Sequence, residues 1–78
     1  MPRKSPPACH GISVATEQLV IVTRTTKKRV REVEVLSLAR GGAVPCTYEA
    51  TTTGKLTLYF SEPPDKGDTL IVCVEGTQ

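Results

Sequence analysis

The feature that most constrains this chain is a period of two near its C-terminal end. In "KLTLYF", Leu56, Leu58 and Phe60 fall on one parity and Thr57 and Tyr59 on the other. In "TLIVCVEG", Leu70, Val72 and Val74 alternate with Ile71 and Cys73. Side chains two residues apart share a face only in an extended strand, so both runs predict strands. Between them lies "PPDKGD". Pro63 and Pro64 stop the first strand and Gly67 permits the reversal, so the segment reads as two strands joined by a turn. The second strand is apolar on both faces. It must be central, or its second face must meet a partner.

The rest of the chain has the same texture. "ISV" reads as a short strand. "QLVIVTRT" is a clearer one, with the apolar run Leu19 to Val22. That run is β-branched and carries no helical stripe, which fits a strand covered on both faces or at an interface. "TTKKR" breaks it and reads as a hairpin turn. In "VREVEVLSLAR", Val33 and Val35 alternate with Glu32 and Glu34, after which Leu36 and Leu38 take the opposite parity. A strand absorbs such a switch with a β-bulge, expected near Val35–Leu36. A helix over about residues 27–40 is the rival, because Lys, Arg, Glu and Leu favour it. The density of valine and the Gly41–Gly42 stop favour the strand. In "AVPCTYEAT", Val44, Cys46, Tyr48 and Ala50 share a face, and Pro45 belongs at a strand start or an edge. "TTTG" is a turn. The sum is an all-β domain over residues 12–78, a small antiparallel sandwich or barrel of five to six strands. The basic, proline-rich residues 1–11 precede it as an extended arm.

At 78 residues the chain has room for one small core, and stability at that size usually needs a supplement from disulfides, metals or neighbouring subunits. Three cysteines make a poor disulfide framework. Cys46 and Cys73 read as small buried hydrophobes, with a Cys46–Cys73 bridge as the alternative, and a reducing compartment fits best. No apolar run is long enough to span a membrane, and the basic N-terminus lacks the apolar stretch of a secretory signal.

Little in the sequence offers catalysis. The one histidine, His10, sits beside Cys9 in the arm, which gives neither the paired spacing of a zinc site nor a rigid nucleophile–base pair. Glu32 and Glu34 read as a solvated face. Asp65 and Asp68 bracket a turn, where Asp is common for backbone reasons. Gly41–Gly42 lacks the lysine and helix of a phosphate loop. The expectation is therefore a non-enzymatic protein without cofactor or metal. Charge is more informative. Residues 1–40 hold eight Lys or Arg against three acids, and residues 41–78 hold two against five. Opposite halves of this kind favour docking on copies of the same chain or on an acidic surface. Lys27, Lys28, Arg29 and Arg31 read first as a solvated loop, second as a patch for an acidic partner, and third as a nucleic-acid contact. The third reading is weakened by the absence of stacking aromatics nearby.

The stretch "LTLYFSEPPDKGDTLIV" resembles hairpins that recur in bacteriophage virion proteins, in tail-fibre and adaptor modules and in capsid-associated β-domains. In these a strand ends at Pro-Pro or Ala-Pro and a "D-T-L-I-V" strand follows a short Gly-containing turn. The resemblance covers residues 56–76. It implies a structural β-module of a virion, assembled in the host cytoplasm. The reading that follows is a capsid decoration or cement protein that binds the major capsid protein or another virion protein as a homo-oligomer, with a trimer as one form. The alternatives are a phage tail adaptor or fibre module, and then a small nucleic-acid-binding β-barrel. On this reading Arg3, Lys4, Pro6 and Pro7 would lie on the capsid. Leu19, Ile21, Ile71 and Cys73 would form the oligomer or docking surface, unless they are ordinary core.

Overall fold

The structure, a computed structural model, describes residues 8–77. It is all-β and contains no helix among those residues, so the helical rival for residues 27–40 is set aside, and none is available there to cross a membrane. Seven strands form: β1 (Ala8–Ser13), β2 (Val20–Arg24), β3 (Arg29–Ser37), β4 (Gly42–Ala43), β5 (Cys46–Ala50), β6 (Lys55–Phe60) and β7 (Thr69–Thr77). They make two antiparallel sheets, one in the order β1-β7-β3-β4 and one in the order β2-β6-β5. The sheets face each other and do not join into a barrel.

The count exceeds the expected five to six because of β4, which is only two residues long. The short strand expected at "ISV" is β1, which starts earlier, in the segment read as arm. Ala8, His10 and Ile12 stand opposite Val74, Val72 and Leu70, so the chain is committed to the sheet from Ala8 onward.

The core lies between the sheets. Val35, Leu70, Val72 and Val74 come from the larger sheet, and Leu56, Leu58 and Phe60 from the smaller. Val14 and Val44 close it from the connections. On β6 the apolar parity of Leu56, Leu58 and Phe60 faces inward, and on β7, where both parities are apolar in the sequence, Leu70, Val72 and Val74 take the inner face and Ile71 and Cys73 the outer. Burial of each such aliphatic side chain stabilises the fold by about 1.5–3 kcal/mol.

The connections differ from expectation. β6 pairs with β2 and β5, and β7 pairs with β1 and β3, so the "PPDKGD" segment joins two sheets and closes no hairpin. "TTKKR" likewise carries the chain from β2 in one sheet to β3 in the other. The hairpins are β3–β4 and β5–β6. Alternation fixes which face a residue takes but not which strand lies beside it.

The bulge is also displaced. The β3–β7 register shifts between Val30 and Glu32, around Arg31. Val33, Val35 and Ser37 then stay on the inner face throughout. Leu36 and Leu38 do not switch inward; Leu38 is 64% exposed. Gly76, opposite the bulge, is what allows it: a Cβ there would sit 1.9 Å from the Arg29 carbonyl oxygen. Tyr48, reaching across from β5, donates its hydroxyl proton to the Arg31 carbonyl at 3.1 Å.

The cysteine expectation is overturned. Cys9 and Cys73 stand opposite each other on β1 and β7 and are bonded, so Cys73 is neither a free hydrophobe nor the partner of Cys46. Cys46 keeps its thiol. The bond closes a sequence separation of 64 residues. In the chain-entropy account a loop of that size adds about 4 kcal/mol, which is large for a core this small.

Candidate interaction surfaces

Three surfaces stand out, and each follows from the strand register. The first is basic. The β2–β3 crossing, the first turn of β3 and the β5–β6 turn meet at one end of the sandwich. Thr25 donates its N–H to Gly54 O at 2.7 Å, and Lys28 donates to Thr77 O at 2.8 Å. Gly54 has φ 90°, and a Cβ on it would meet Thr25 O at 2.6 Å, so the close approach needs glycine. The result is an open cleft of about 610 Å³. Lys28, Arg29 and Arg31 line it, with Thr51, Thr52 and Thr77 supplying hydroxyls, and no acidic residue lines it. Of the four basic residues that the sequence groups here, Lys27 does not take part. It is buried at 3% exposure, in a segment that crosses between the sheets and is not a hairpin tip.

The second surface is acidic and lies on the outer face of the larger sheet. Glu32 stands opposite Glu75, and Glu34 opposite Cys73. These four residues line one shallow depression of about 170 Å³ beside the disulfide. Cross-strand like charges at this spacing disfavour the bare face and favour a cationic covering. The two ion pairs among the described residues both use Arg40, with Glu62 at 3.9 Å and Asp65 at 3.8 Å. Neither surface therefore spends its charge within the described chain.

The third surface is apolar. On β2, Ile21 and Thr23 point inward, where Ile21 packs on the core, while Val20 and Val22 point outward. Val20 pairs with Tyr59 and Val22 with Thr57 across the β2–β6 ladder. Leu19, Val20, Val22 and Tyr59 are 51%, 41%, 57% and 37% exposed. Because β2 is the edge of its sheet, its outer side also offers unpaired backbone groups.

The docking residues expected from sequence are thus scattered. Leu19 belongs to the apolar strip, and Ile21 belongs to the core. Ile71 is half-buried on the outer face of the larger sheet, between Gly11 and Leu36. Cys73 is in the disulfide. Of the two residues expected on this segment, Leu19 is exposed and Ile21 turns to the core, and Val20 and Val22 are the exposed pair within β2 itself. The arm residues Arg3, Lys4, Pro6 and Pro7 lie outside the described residues.

Chemistry-bearing groups elsewhere serve the fold. His10 Nε2 lies 3.3 Å from Thr23 Oγ1, which ties β1 to β2 across the open side of the sandwich. Burial pushes the Cys46 thiol up, away from the nucleophilic thiolate. The described residues bring no three His, Cys, Asp or Glu side chains together in a group that could hold a metal ion. Asp68, read from sequence as a turn residue, is a buried carboxylate that organises the β3–β4 turn. It accepts from Ser37 Oγ, from the Ala39 N–H at 2.9 Å and from the Thr69 N–H at 2.7 Å. Its only sequence signal is a serine on the inward parity of β3.

Compared with family models, curated proteins and solved structures, the chain matches none.

Proposed function

We propose that this chain is a non-enzymatic structural protein of a phage virion, a capsid decoration or cement protein that binds neighbouring capsid subunits. The observation that carries the reading is the exposed apolar strip of Leu19, Val20 and Val22 along the edge strand of the smaller sheet, continued by Tyr59 on the neighbouring β6. A β-domain with a small core gains most from burying such a strip on a neighbour, because binding the folded state stabilises it by mass action. Cementing needs many weak copies of one contact and no reacting group, and symmetric particles supply the copies. The resemblance of residues 56–76 to virion β-modules supplies the context; it is one of sequence pattern, since residues 61–68 here cross between the sheets and do not close a hairpin. The opposite charge of the chain's two halves supports assembly with copies of itself.

The test is co-sedimentation of the purified protein with capsid shells that lack it. Retention on the shell, with a raised shell disruption temperature, is the expected result. A V20K/V22K variant that melts like the parent should lose retention. Failure of the parent to bind shells overturns the reading. A copy number near that of the capsid subunit favours cement; a single small ring per particle moves the protein to the tail.

A further inference from the structure

The basic cleft and the acidic face are neighbours on the same strands. Arg31, the bulged residue of β3, lies in the cleft, and Glu32, the next residue, lies in the acidic depression. Each surface has three like charges: Lys28, Arg29 and Arg31 in one, and Glu32, Glu34 and Glu75 in the other. None of the six is in an ion pair among the described residues. From this we infer that the cleft is the receptor for the acidic face of a second copy of this chain, and that the contact is made by salt-sensitive ion pairs between the two charge triplets.

Several observations fix the occupant. The charge count matches three to three. Two of the cleft's three cations are arginines, whose planar forks suit carboxylates and can take them two bonds at a time. Thr51, Thr52 and Thr77 add hydroxyl donors around the rim. No aromatic residue lines the cleft, so it lacks the stacking platform that a nucleic-acid strand would use. The bulge is what sets the patches apart. Without the extra residue at Arg31, the strand would keep strict alternation and Arg31 would face the core side. The two patches lie side by side and carry opposite sign. A two-fold axis between copies would therefore make the contact twice, basic to acidic and acidic to basic.

The inference deepens the self-assembly part of the proposed function and rests on it, but not on the virion location. The experiment is light scattering on the full chain at low and high salt, followed by a charge swap. In about 10 mM salt, where charges still act over a Debye length of about 30 Å, the parent should show a mass above the 8.4 kDa monomer, and in about 1 M salt, where that length falls to about 3 Å, it should return to the monomer. R29E/R31E and E32R/E34R should each be monomeric at low salt. Mixed in equal amounts they should associate again, because the unchanged cleft of E32R/E34R meets the unchanged acidic face of R29E/R31E and the two reversed pairs complement each other. A folding defect cannot mimic that rescue. A salt-independent oligomer, a parent that stays monomeric, or a mixture that fails to associate overturns the inference. Tighter binding of a single-stranded oligonucleotide than of the second copy, lost in R29E/R31E, also overturns it. Each of these outcomes leaves shell binding through Val20 and Val22 to be decided by its own assay.

Discussion

The hydroxyl of Ser37 donates a hydrogen bond to the carboxylate of Asp68, 31 residues further along the chain and deep in the end of the sandwich. Ser37 is 2% exposed and Asp68 is 5% exposed. The same Ser37 oxygen accepts the Arg40 N–H at 3.1 Å, so the pair holds the β3–β4 turn against the start of β7.

This pair makes a pH prediction. The hydrogen bond from Ser37, then that from the Ala39 N–H, hold the Asp68 carboxyl below its ordinary value, against the opposing effect of burial. The folded state thus binds this proton less readily than the unfolded chain does. The resulting stability is fully present above the ordinary carboxylate range, and it is lost as pH falls through the depressed folded value. Urea melts of the parent and of D68N at several pH values check this. D68N should be the less stable at neutral pH, and the gap should narrow in acid. A gap that is constant down to strong acid contradicts it. Ser37→Ala strands part of the same network and should cost about 1–3 kcal/mol at neutral pH.

Gly76 makes a second prediction. A Cβ there would overlap the Arg29 carbonyl oxygen at 1.9 Å and press on the Val30 Cα at 3.0 Å. Both are backbone, so neither can swing aside. Gly76→Ala should destabilise by at least about 2 kcal/mol, at the upper part of the usual overpacking range. Gly42→Ala is the control: nothing lies within 4 Å of its added Cβ, and it should fall within about 0.5 kcal/mol of the parent. Equal melting of the two variants would show that the bulge does not need Gly76.

These positions show what was legible in the sequence. The period of two groups Leu56, Leu58 and Phe60 on one face and Leu70, Val72 and Val74 on another, because parity is a local property of an extended chain; that the second group rather than Ile71 and Cys73 faces the core is settled only by the packing of the sheets. Partner choice is not local. The turn signal in "PPDKGD", residues 63–68, points to a hairpin, but the connection in the fold runs over residues 61–68, longer than the usual two to five of a hairpin, and crosses to the opposite sheet. The leucines at positions 36 and 38 drew the expected bulge to the wrong place, because an exposed leucine looks like a core residue in sequence. The buried serine between them was the true marker of the inner face. The basic cleft was half legible: Lys28, Arg29 and Arg31 fall within four residues of each other, but Thr51, Thr52 and Thr77 join them only through the fold.

The disulfide can be counted directly. Denatured without reductant, the chain should present one alkylatable thiol, on Cys46, and a peptide map should join Cys9 to Cys73. Reduction should lower stability by about 2–5 kcal/mol. Protection from hydrogen exchange should fall first in β1, because that strand sits at the sheet edge with β7 as its one partner. Three reactive thiols before reduction would remove the bond from the account.

Adjacent residues on β2 separate folding from docking. Ile21 stands opposite Leu58 on the inner face and packs on the core, while Val22 stands opposite Thr57 on the outer face at 57% exposure. Ile21→Ala removes buried methyl groups and leaves a partial cavity. It should cost about 2 kcal/mol, the low end for such truncations, because the site is only half-buried. Val22→Ser removes apolar surface that water already reaches, so its melt should stay within about 0.5 kcal/mol of the parent. Retention on shells should respond in reverse. At a temperature where both variants are folded, Val22→Ser should reduce binding and Ile21→Ala should leave it near the parent level. Identical shell binding by Val22→Ser and the parent would take the apolar strip out of the docking surface.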